Sequence, residues 1–187
     1  TALAGIDAIS HALETFVTTR RNAASLTFSR EAWRLLSSGL ECVLDHPGDL
    51  EARSQVQLGA CFAGLAIEHS MLGAAHALAN PLTARCGIPH GEAVGLMLPH
   101  VIRFNGQAFP EWYAELCAVA GRAWPGAATE SSAACLADYV ASLLDKVGFA
   151  KPLSQRGICA SALPELAAAA SQQWTGSFNP RPVDAAE

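Results

Sequence analysis

Residues 5–19 read GIDAISHALETFVTT, and their pattern indicates the fold class of the whole chain. The large apolar side chains recur near the 3.6-residue period of an α-helix: Ile6, Ile9, Leu13 and Phe16. This periodicity predicts an amphipathic helix that turns one face to a hydrophobic core.

The same periodicity continues toward the middle of the chain. It predicts a second helix in LTFSREAWRLLSSGLECVLD, with Ser29 as its N-cap, and one long helix over residues 49–79. Small residues dominate this long run, as in helices that pass through the middle of a bundle. The two prolines of residues 80–89 predict a loop there. HGEAVGLMLPHVIRFN then predicts a helix that Pro99 ends or kinks.

The remainder of the chain repeats the helical pattern. PEWYAELCAVAGRAW, ESSAACLADYVASLLDKVG and LPELAAAASQQ each predict a helix, with Pro164 in the first turn of the last one. KPLSQRGI is expected to be a linker, and SFNPRPV to include some extended chain. Because strand-like alternation is sustained nowhere in the sequence, we predict an all-α helical bundle.

Composition narrows the functional classes. The chain has 187 residues, of which 51% are hydrophobic and 16% charged, so residues 1–187 are expected to form a single domain with its own core. A net charge of -5 argues against a nucleic-acid partner. The apolar stretches are too short for a membrane span, and we expect no secretion signal because no basic-then-apolar stretch opens the sequence. The six cysteines form no C-x-x-C pair, so buried free thiols in the cytoplasm are expected, although their even number leaves disulfides open.

Histidines and one aspartate form patterns with metal-ligating chemistry. Asp7 and His11 are four residues apart and share a helix face, and His69 and His76 are seven apart. His90 follows Pro89 at a helix start, where imidazolium is disfavoured and a nitrogen lone pair stays free. One carboxylate and several neutral imidazoles suit Zn²⁺ or Fe²⁺.

Each of these patterns also has a structural explanation. Asp7 could stabilise a helix start, and His69 and His76 could be hydrogen-bonded core histidines. His90 could simply open its helix, and His100 could accompany the Pro99 kink. Spacing alone indicates a metal site without selecting its histidines.

Four segments occur in the order and approximate spacing of iron-containing (group III) alcohol dehydrogenases: GIDAISHALETF, GAAHALANPL, IPHGEAVGLMLPHVIRFN and NPRPV. The chain resembles the C-terminal helical domain of this family, whose fold is dehydroquinate synthase-like. The resemblance implies that the chain is a fragment of a two-domain enzyme. It also implies that the family's N-terminal Rossmann-like domain, which binds NAD or NADP, is absent.

Site residues follow from the resemblance position by position. Asp7 corresponds to the family's carboxylate ligand, and His11, His76 and His90 correspond to its histidine ligands. Asn80 stands where many relatives carry a second histidine, which is thought to help move the alcohol proton. An amide cannot titrate near neutral pH, so Asn80 either positions substrate or water, or only caps the loop before Pro81.

The resemblance implies an NAD(P)-dependent alcohol dehydrogenase in which a divalent metal, Fe²⁺ before Zn²⁺, polarises an alcohol or aldehyde oxygen for hydride transfer. It further implies a small alcohol or aldehyde substrate, a cytoplasmic homo-oligomer and an inactive isolated chain. Other members of the fold superfamily are the first alternative: glycerol dehydrogenase, dehydroquinate synthase and maleylacetate reductase. A freestanding helical metal-binding module and a purely structural Ala-rich bundle come after them.

Overall fold

The computed structural model describes residues 1–121, 124 and 129–184. Over these residues the chain forms eight α-helices, joined by loops and short 3-10 turns, and no β-strand. In chain order the helices are α1 Ala2–Val17, α2 Ala23–Asp45, α3 Leu50–Glu68, α4 Ala74–Cys86, α5 His90–Gly106, α6 Pro110–Val119, α7 Ser132–Lys146 and α8 Leu163–Ser171. The all-α prediction is confirmed.

Helix α1 lies at the centre of the bundle, in contact with α2, α3 and α5. The four apolar side chains that predicted it are all buried: Ile6, Ile9, Leu13 and Phe16. Gly5 and the last turn are buried as well, so only the first turn of α1 meets solvent on several sides. The metal-site candidates Asp7 and His11 are thereby fixed to the most enclosed helix of the fold.

Helix α2 begins seven residues earlier than Ser29 as N-cap predicted. Its N-cap is Asn22, whose side chain accepts hydrogen bonds from the backbone N–H groups of Ala24 and Ser25. The prediction of Ser29 as N-cap is wrong. Ser29 is buried inside the helix, and its hydroxyl lies 2.8 Å from that of Thr15 on α1. Asn is among the strongest N-cap residues, and its amide oxygen here reaches two free N–H donors.

The long helix predicted over residues 49–79 is two helices. Helix α3 ends at Glu68, and α4 begins at Ala74 after a five-residue break. His69 and His76 therefore do not share a helix face, contrary to the spacing argument. Helix α3 also lies at the edge of the bundle rather than in its middle, because Leu58 and Leu65 are exposed.

The predicted loop over residues 80–89 is mostly helical. Helix α4 continues through Pro81 to Cys86 and ends at Gly87, which has a left-handed backbone (φ 68°). A proline inside a helix costs about 3 kcal/mol. Pro81 and Leu82 are nevertheless both helical and both buried, so their side chains pack into the bundle along this segment.

Helix α5 begins at His90, as predicted, and runs through Pro99 to Gly106. Pro99 therefore does not end it. Near its start, α5 touches the backbone of α1: a Cβ atom on Gly91 would lie 2.2 Å from the carbonyl oxygen of Leu3. This close approach brings the first turns of α1 and α5 together.

The helices after α5 pack at two places: α7 lies against α5 and α6, and α8 lies against α4. Helix α6 is shorter than predicted; Arg122 and Ala123, also assigned to it, lie outside the described residues. Helices α7 and α8 form where predicted, and Pro164 is in the first turn of α8. The predicted linker contains a 3-10 turn, Leu153–Arg156. The first two residues of the segment expected to be extended, Ser177 and Phe178, belong to the end of the 3-10 turn Trp174–Phe178.

Two further expectations concern the surface. No helix in the part of the chain that the structure describes is long and apolar enough to cross a membrane.

The six cysteines are free thiols, but the expectation that they are buried is wrong for Cys61, Cys86 and Cys159, which are exposed. Only Cys117 is fully buried. Ala-rich runs are a poor guide to burial, because a helix of small residues can also lie at the edge of a bundle.

Candidate metal centre

Asp7 is the centre of a cluster of imidazoles. It stands on α1 one turn before His11, and the Oδ1 atom of Asp7 lies 3.4 Å from Nε2 of His11. Because residues four apart on a helix lie one above the other, α1 presents both groups in the same direction. The Asp7 side chain is 26% exposed, so one side of the cluster remains open to solvent.

Two further histidines reach Asp7 from other helices. His76, in the first turn of α4, places Nε2 3.6 Å from Asp7 Oδ1, and His90, the first residue of α5, places Nε2 3.7 Å from the same oxygen. The His11 and His76 rings stack with their centroids 5.0 Å apart, and the His76 and His90 centroids are 5.3 Å apart. Three helix segments therefore deliver three imidazoles around one carboxylate oxygen.

These spacings fit a single divalent cation. Ligand atoms that each lie about 2.0–2.3 Å from one ion are separated from one another by roughly 3–4.6 Å. One ligand atom each from Asp7, His76 and His90 lie within 4.8 Å of one another. His11 is outside that mutual set but keeps its 3.4 Å approach to Asp7.

Two atoms at the middle of the cluster lack hydrogen-bond partners. Asp7 Oδ1 and His76 Nε2 are both buried and both unsatisfied. Buried polar atoms in folded proteins are nearly always paired, since leaving one unpaired costs about 1–3 kcal/mol. A cation bound between these two atoms would satisfy both, and their oxygen and nitrogen chemistry suits Fe²⁺ or Zn²⁺.

The electrostatics of the cluster hold Asp7 ionised. Burial works against its charge, yet the pKa of Asp7 lies below its usual value because His76, His11 and His90 surround it. Burial lowers the pKa of His11, which keeps that imidazole neutral. Although burial opposes it, the carboxylates of Glu14 and Asp7 raise the pKa of His76 to about 9. Metal binding at His76 must therefore displace a proton.

Glu14 belongs to this site and was missed by the sequence analysis. Its carboxylate is almost fully buried, contacts Nδ1 of His76, and accepts a 2.7 Å hydrogen bond from the Ala75 backbone N–H. The sequence does contain a signal, because Glu14 stands between Leu13 and Phe16, two residues of the predicted core face. A carboxylate at the edge of an apolar face is buried only when it is paired.

The other polar candidates are not among the side chains that meet at Asp7. His69 is an exposed C-cap of α3 whose ring stacks on Phe28 at 5.6 Å, so the expectation of a core residue is wrong. His100 is exposed on α5 and lines an apolar cavity of about 670 Å³. Asn80 lies inside α4 and donates a 2.9 Å hydrogen bond to Gln173. The explanation of Asn80 as a loop cap is therefore wrong.

A helical bundle that gathers one carboxylate and three imidazoles from three helices defines a class of protein, a helical domain with a candidate site for a divalent cation. Comparison with known proteins gives the family. Residues 1–187 match the profile described as "Fe-containing alcohol dehydrogenase family, C-terminal". The chain belongs to the Fe-containing alcohol dehydrogenase family.

Individual relatives agree with this assignment. The chain is 30% identical over 181 residues to the 1,3-propanediol dehydrogenase of Citrobacter freundii, covering 97% of this chain and 47% of the relative. It is 31% identical over 180 residues to the lactaldehyde reductase of Escherichia coli K12, covering 96% and 47%. A 34% identical match to maleylacetate reductase 2 of Cupriavidus pinatubonensis covers 68% of this chain and 36% of the relative.

Solved structures share the fold. A crystal structure of 1,3-propanediol oxidoreductase superposes with a TM-score of 0.93 at 28% identity, covering 100% of this chain and 49% of the other. Alcohol dehydrogenase from Oenococcus oeni superposes with a TM-score of 0.91 at 27% identity, covering 98% and 48%. The chain thus spans about half the length of the relatives that it matches.

Proposed function

We propose that Asp7, His11, His76 and His90 hold one divalent cation, Fe²⁺ before Zn²⁺, and that the chain is the metal-holding domain of an NAD(P)-dependent alcohol oxidoreductase. One observation carries the proposal: the Nε2 atoms of three histidines from three helices lie 3.4–3.7 Å from the same Asp7 oxygen. The membership of the chain in the Fe-containing alcohol dehydrogenase family supports the reaction class.

Each residue has a distinct part in this site. Ionised Asp7 supplies the negative charge that a divalent cation needs, and the three imidazoles add neutral donors. His90 is the most exposed of the histidines at 38%, compared with 23% for His11 and 4% for His76. We therefore expect substrate to approach from the His90 side, while His76 forms the buried floor.

A cation held there would act as a Lewis acid on an alcohol or carbonyl oxygen. Four protein ligands leave room for one further oxygen ligand. The His76 side chain is only 4% exposed, so the fold itself excludes water from the floor of the site. This chain's residues thus orient the substrate oxygen, and the nicotinamide cofactor supplies the redox chemistry.

The partners follow from the proposal. Small alcohols and aldehydes are the expected substrates, since similar proteins are named 1,3-propanediol dehydrogenase, lactaldehyde reductase and NADPH-dependent butanol dehydrogenase. NAD or NADP is expected to bind a Rossmann-like domain in the part of a longer protein that this chain does not include. A cytoplasmic homo-oligomer is the expected setting. Reduction of a maleylacetate-like acid is a second candidate, supported by the 34% identical match to maleylacetate reductase 2.

Metal binding to the 187-residue chain tests the site. We expect the wild-type chain to keep one equivalent of Zn²⁺ after dialysis, and Asp7→Ala to bind it more than about 100-fold more weakly because the shared oxygen is lost. His69→Ala is the matched control and should bind like wild type, since His69 is exposed and stacks on Phe28. Unchanged binding by Asp7→Ala would refute the proposed site.

A further inference from the structure

We infer that Glu14 is a positioning residue for His76: it fixes the ring orientation and the tautomer of His76 and holds the start of α4, with Asn179 as a second support. The inference rests on the proposed metal site and deepens it. It assigns a function to two buried polar residues that neither bind the cation nor touch the substrate.

The contact between Glu14 and His76 dictates which ring nitrogen is free. An ionised carboxylate only accepts hydrogen bonds, so Nδ1 of His76, which contacts Glu14 Oε2, must carry the proton. In the neutral ring the lone pair then belongs to Nε2, the atom 3.6 Å from Asp7 Oδ1. Metal-ligating histidines generally donate their other N–H to such an acceptor, which fixes the ring and raises its basicity.

The second oxygen of Glu14 fixes the helix that carries His76. Helix α4 has Gly73 as N-cap and therefore no side-chain cap of its own. The first N–H groups of a helix need outside acceptors, and here Glu14 Oε1 accepts from Ala75 at 2.7 Å and Asn179 Oδ1 accepts from Ala74 at 3.4 Å. The positive end of the helix dipole also favours the buried carboxylate.

Gly73 permits this arrangement. A Cβ atom there would lie 3.0 Å from Glu14 Oε1 and 3.2 Å from Asn179 Oδ1, so a side chain would crowd both acceptors. The break between α3 and α4 therefore has a specific consequence. It creates a fresh helix N-terminus that faces the buried carboxylate next to the metal cluster.

Asn179 connects the tail of the chain to the same helix start. Its amide forms a reciprocal pair with the buried amide of Asn105 on α5, with N···O distances of 2.9 and 2.8 Å. It also donates to the Arg181 carbonyl at 2.6 Å. The NPRPV segment thereby ties the start of α4, which carries His76, to the last turn of α5.

The test compares Co²⁺ binding by wild type and by Glu14→Gln, which have nearly the same shape. If the Gln amide turns its oxygen to Ala75, its NH₂ meets Nδ1 and forces the proton onto Nε2, the ligand atom. If it turns the other way, NH₂ opposes the Ala75 N–H. We expect Co²⁺ affinity to fall about 10- to 100-fold and the visible Co²⁺ spectrum to change. Equal affinity with an unchanged spectrum would overturn the inference.

Asn179→Ala separates positioning of the ring from support of the helix. It removes one acceptor from α4 but leaves the Glu14–His76 contact, so we expect lower stability and a nearly unchanged Co²⁺ spectrum. If Asn179→Ala and Glu14→Gln change the spectrum equally, Glu14 acts only as a helix cap and the tautomer assignment is wrong.

A measurement on the wild type covers the case in which Glu14→Gln does not fold. In the Zn²⁺-loaded chain, nitrogen-edited NMR should find the proton of His76 on Nδ1, shifted downfield by the carboxylate. A proton on Nε2 would overturn the inference while leaving a metal site in place. Failure of the wild type to bind Co²⁺ or Zn²⁺ at all would instead refute the proposed function.

Discussion

Gly91 lies against the carbonyl oxygen of Leu3 so closely that a Cβ atom on the glycine would stand 2.2 Å from it. The obstacle is backbone rather than a flexible side chain, so α1 and α5 could not accept a side chain there without separating. Because His90 precedes Gly91 and Asp7 stands one turn beyond Leu3, this approach also sets how closely His90 can approach Asp7.

Substitution Gly91→Ala should therefore weaken both the fold and the site. We expect a loss of about 1–3 kcal/mol in the free energy of unfolding, as for overpacked cores, together with weaker Zn²⁺ binding. Urea denaturation and chelator competition measure the two effects. Gly64→Ala on α3 is the matched control: nothing lies within 4 Å of its Cβ position, so it should stabilise the chain by about 0.5–1 kcal/mol. Wild-type stability in Gly91→Ala would contradict the close approach.

The pKa of His76 predicts how the stability of the metal-free chain depends on pH. Its folded-state pKa is raised to about 9, above the usual value of about 6.5. A raised pKa means that the stabilisation is complete below about pH 6.5 and is lost as the pH rises through about 9. With a chelator present, the free energy of unfolding should fall between about pH 7 and about pH 9, by about 1 kcal/mol per pH unit.

Urea titrations at several pH values measure this slope. His76→Gln should remove most of it, whereas His69→Gln should leave it unchanged because His69 is exposed and lies outside the cluster. An alkaline slope that survives in His76→Gln would assign it to another group.

Because residue 80 is an asparagine and not the histidine that many relatives carry, we expect an altered path for the alcohol proton. Asn80 lies one helical turn after His76, and its amide, which cannot titrate near neutral pH, is bound to Gln173. In the full-length protein that contains this chain, Asn80→His should add a titration near pH 6.5 to the pH profile of kcat. Gln173→Ala is the control, since it breaks the same hydrogen bond without adding a titratable group. An unchanged profile in Asn80→His would place residue 80 outside the proton path.

We expect the isolated chain to show no turnover. It spans about half the length of its relatives, and the described residues contain no strand followed by a phosphate-binding turn. The purified 187-residue chain loaded with Fe²⁺ or Zn²⁺ should therefore not oxidise NADH or NADPH with small aldehydes. The full-length protein under the same conditions is the positive control, and steady turnover by the chain alone would refute the half-enzyme proposal.

Local sequence determined the helical class and half of the cluster. The 3.6-residue periodicity of α1 gave its buried face, and the four-residue spacing of Asp7 and His11 placed both on one side of that helix. His90 at a helix start was also predictable, because Pro89 precedes it. These features depend on neighbours within about one or two turns, so spacing alone describes them.

Only the tertiary structure decided how these pieces meet. The start of α4 depends on acceptors 61 and 105 positions away, on Glu14 and Asn179, so no local pattern marked the break before it. Helix α4 continues through Pro81, whose side chain is buried, although proline lacks the N–H that an interior helix position donates. The convergence of His76 and His90 on Asp7 likewise requires α4 and α5 to pack against α1, which is distant in sequence. Periodicity contains no information about packing between distant segments.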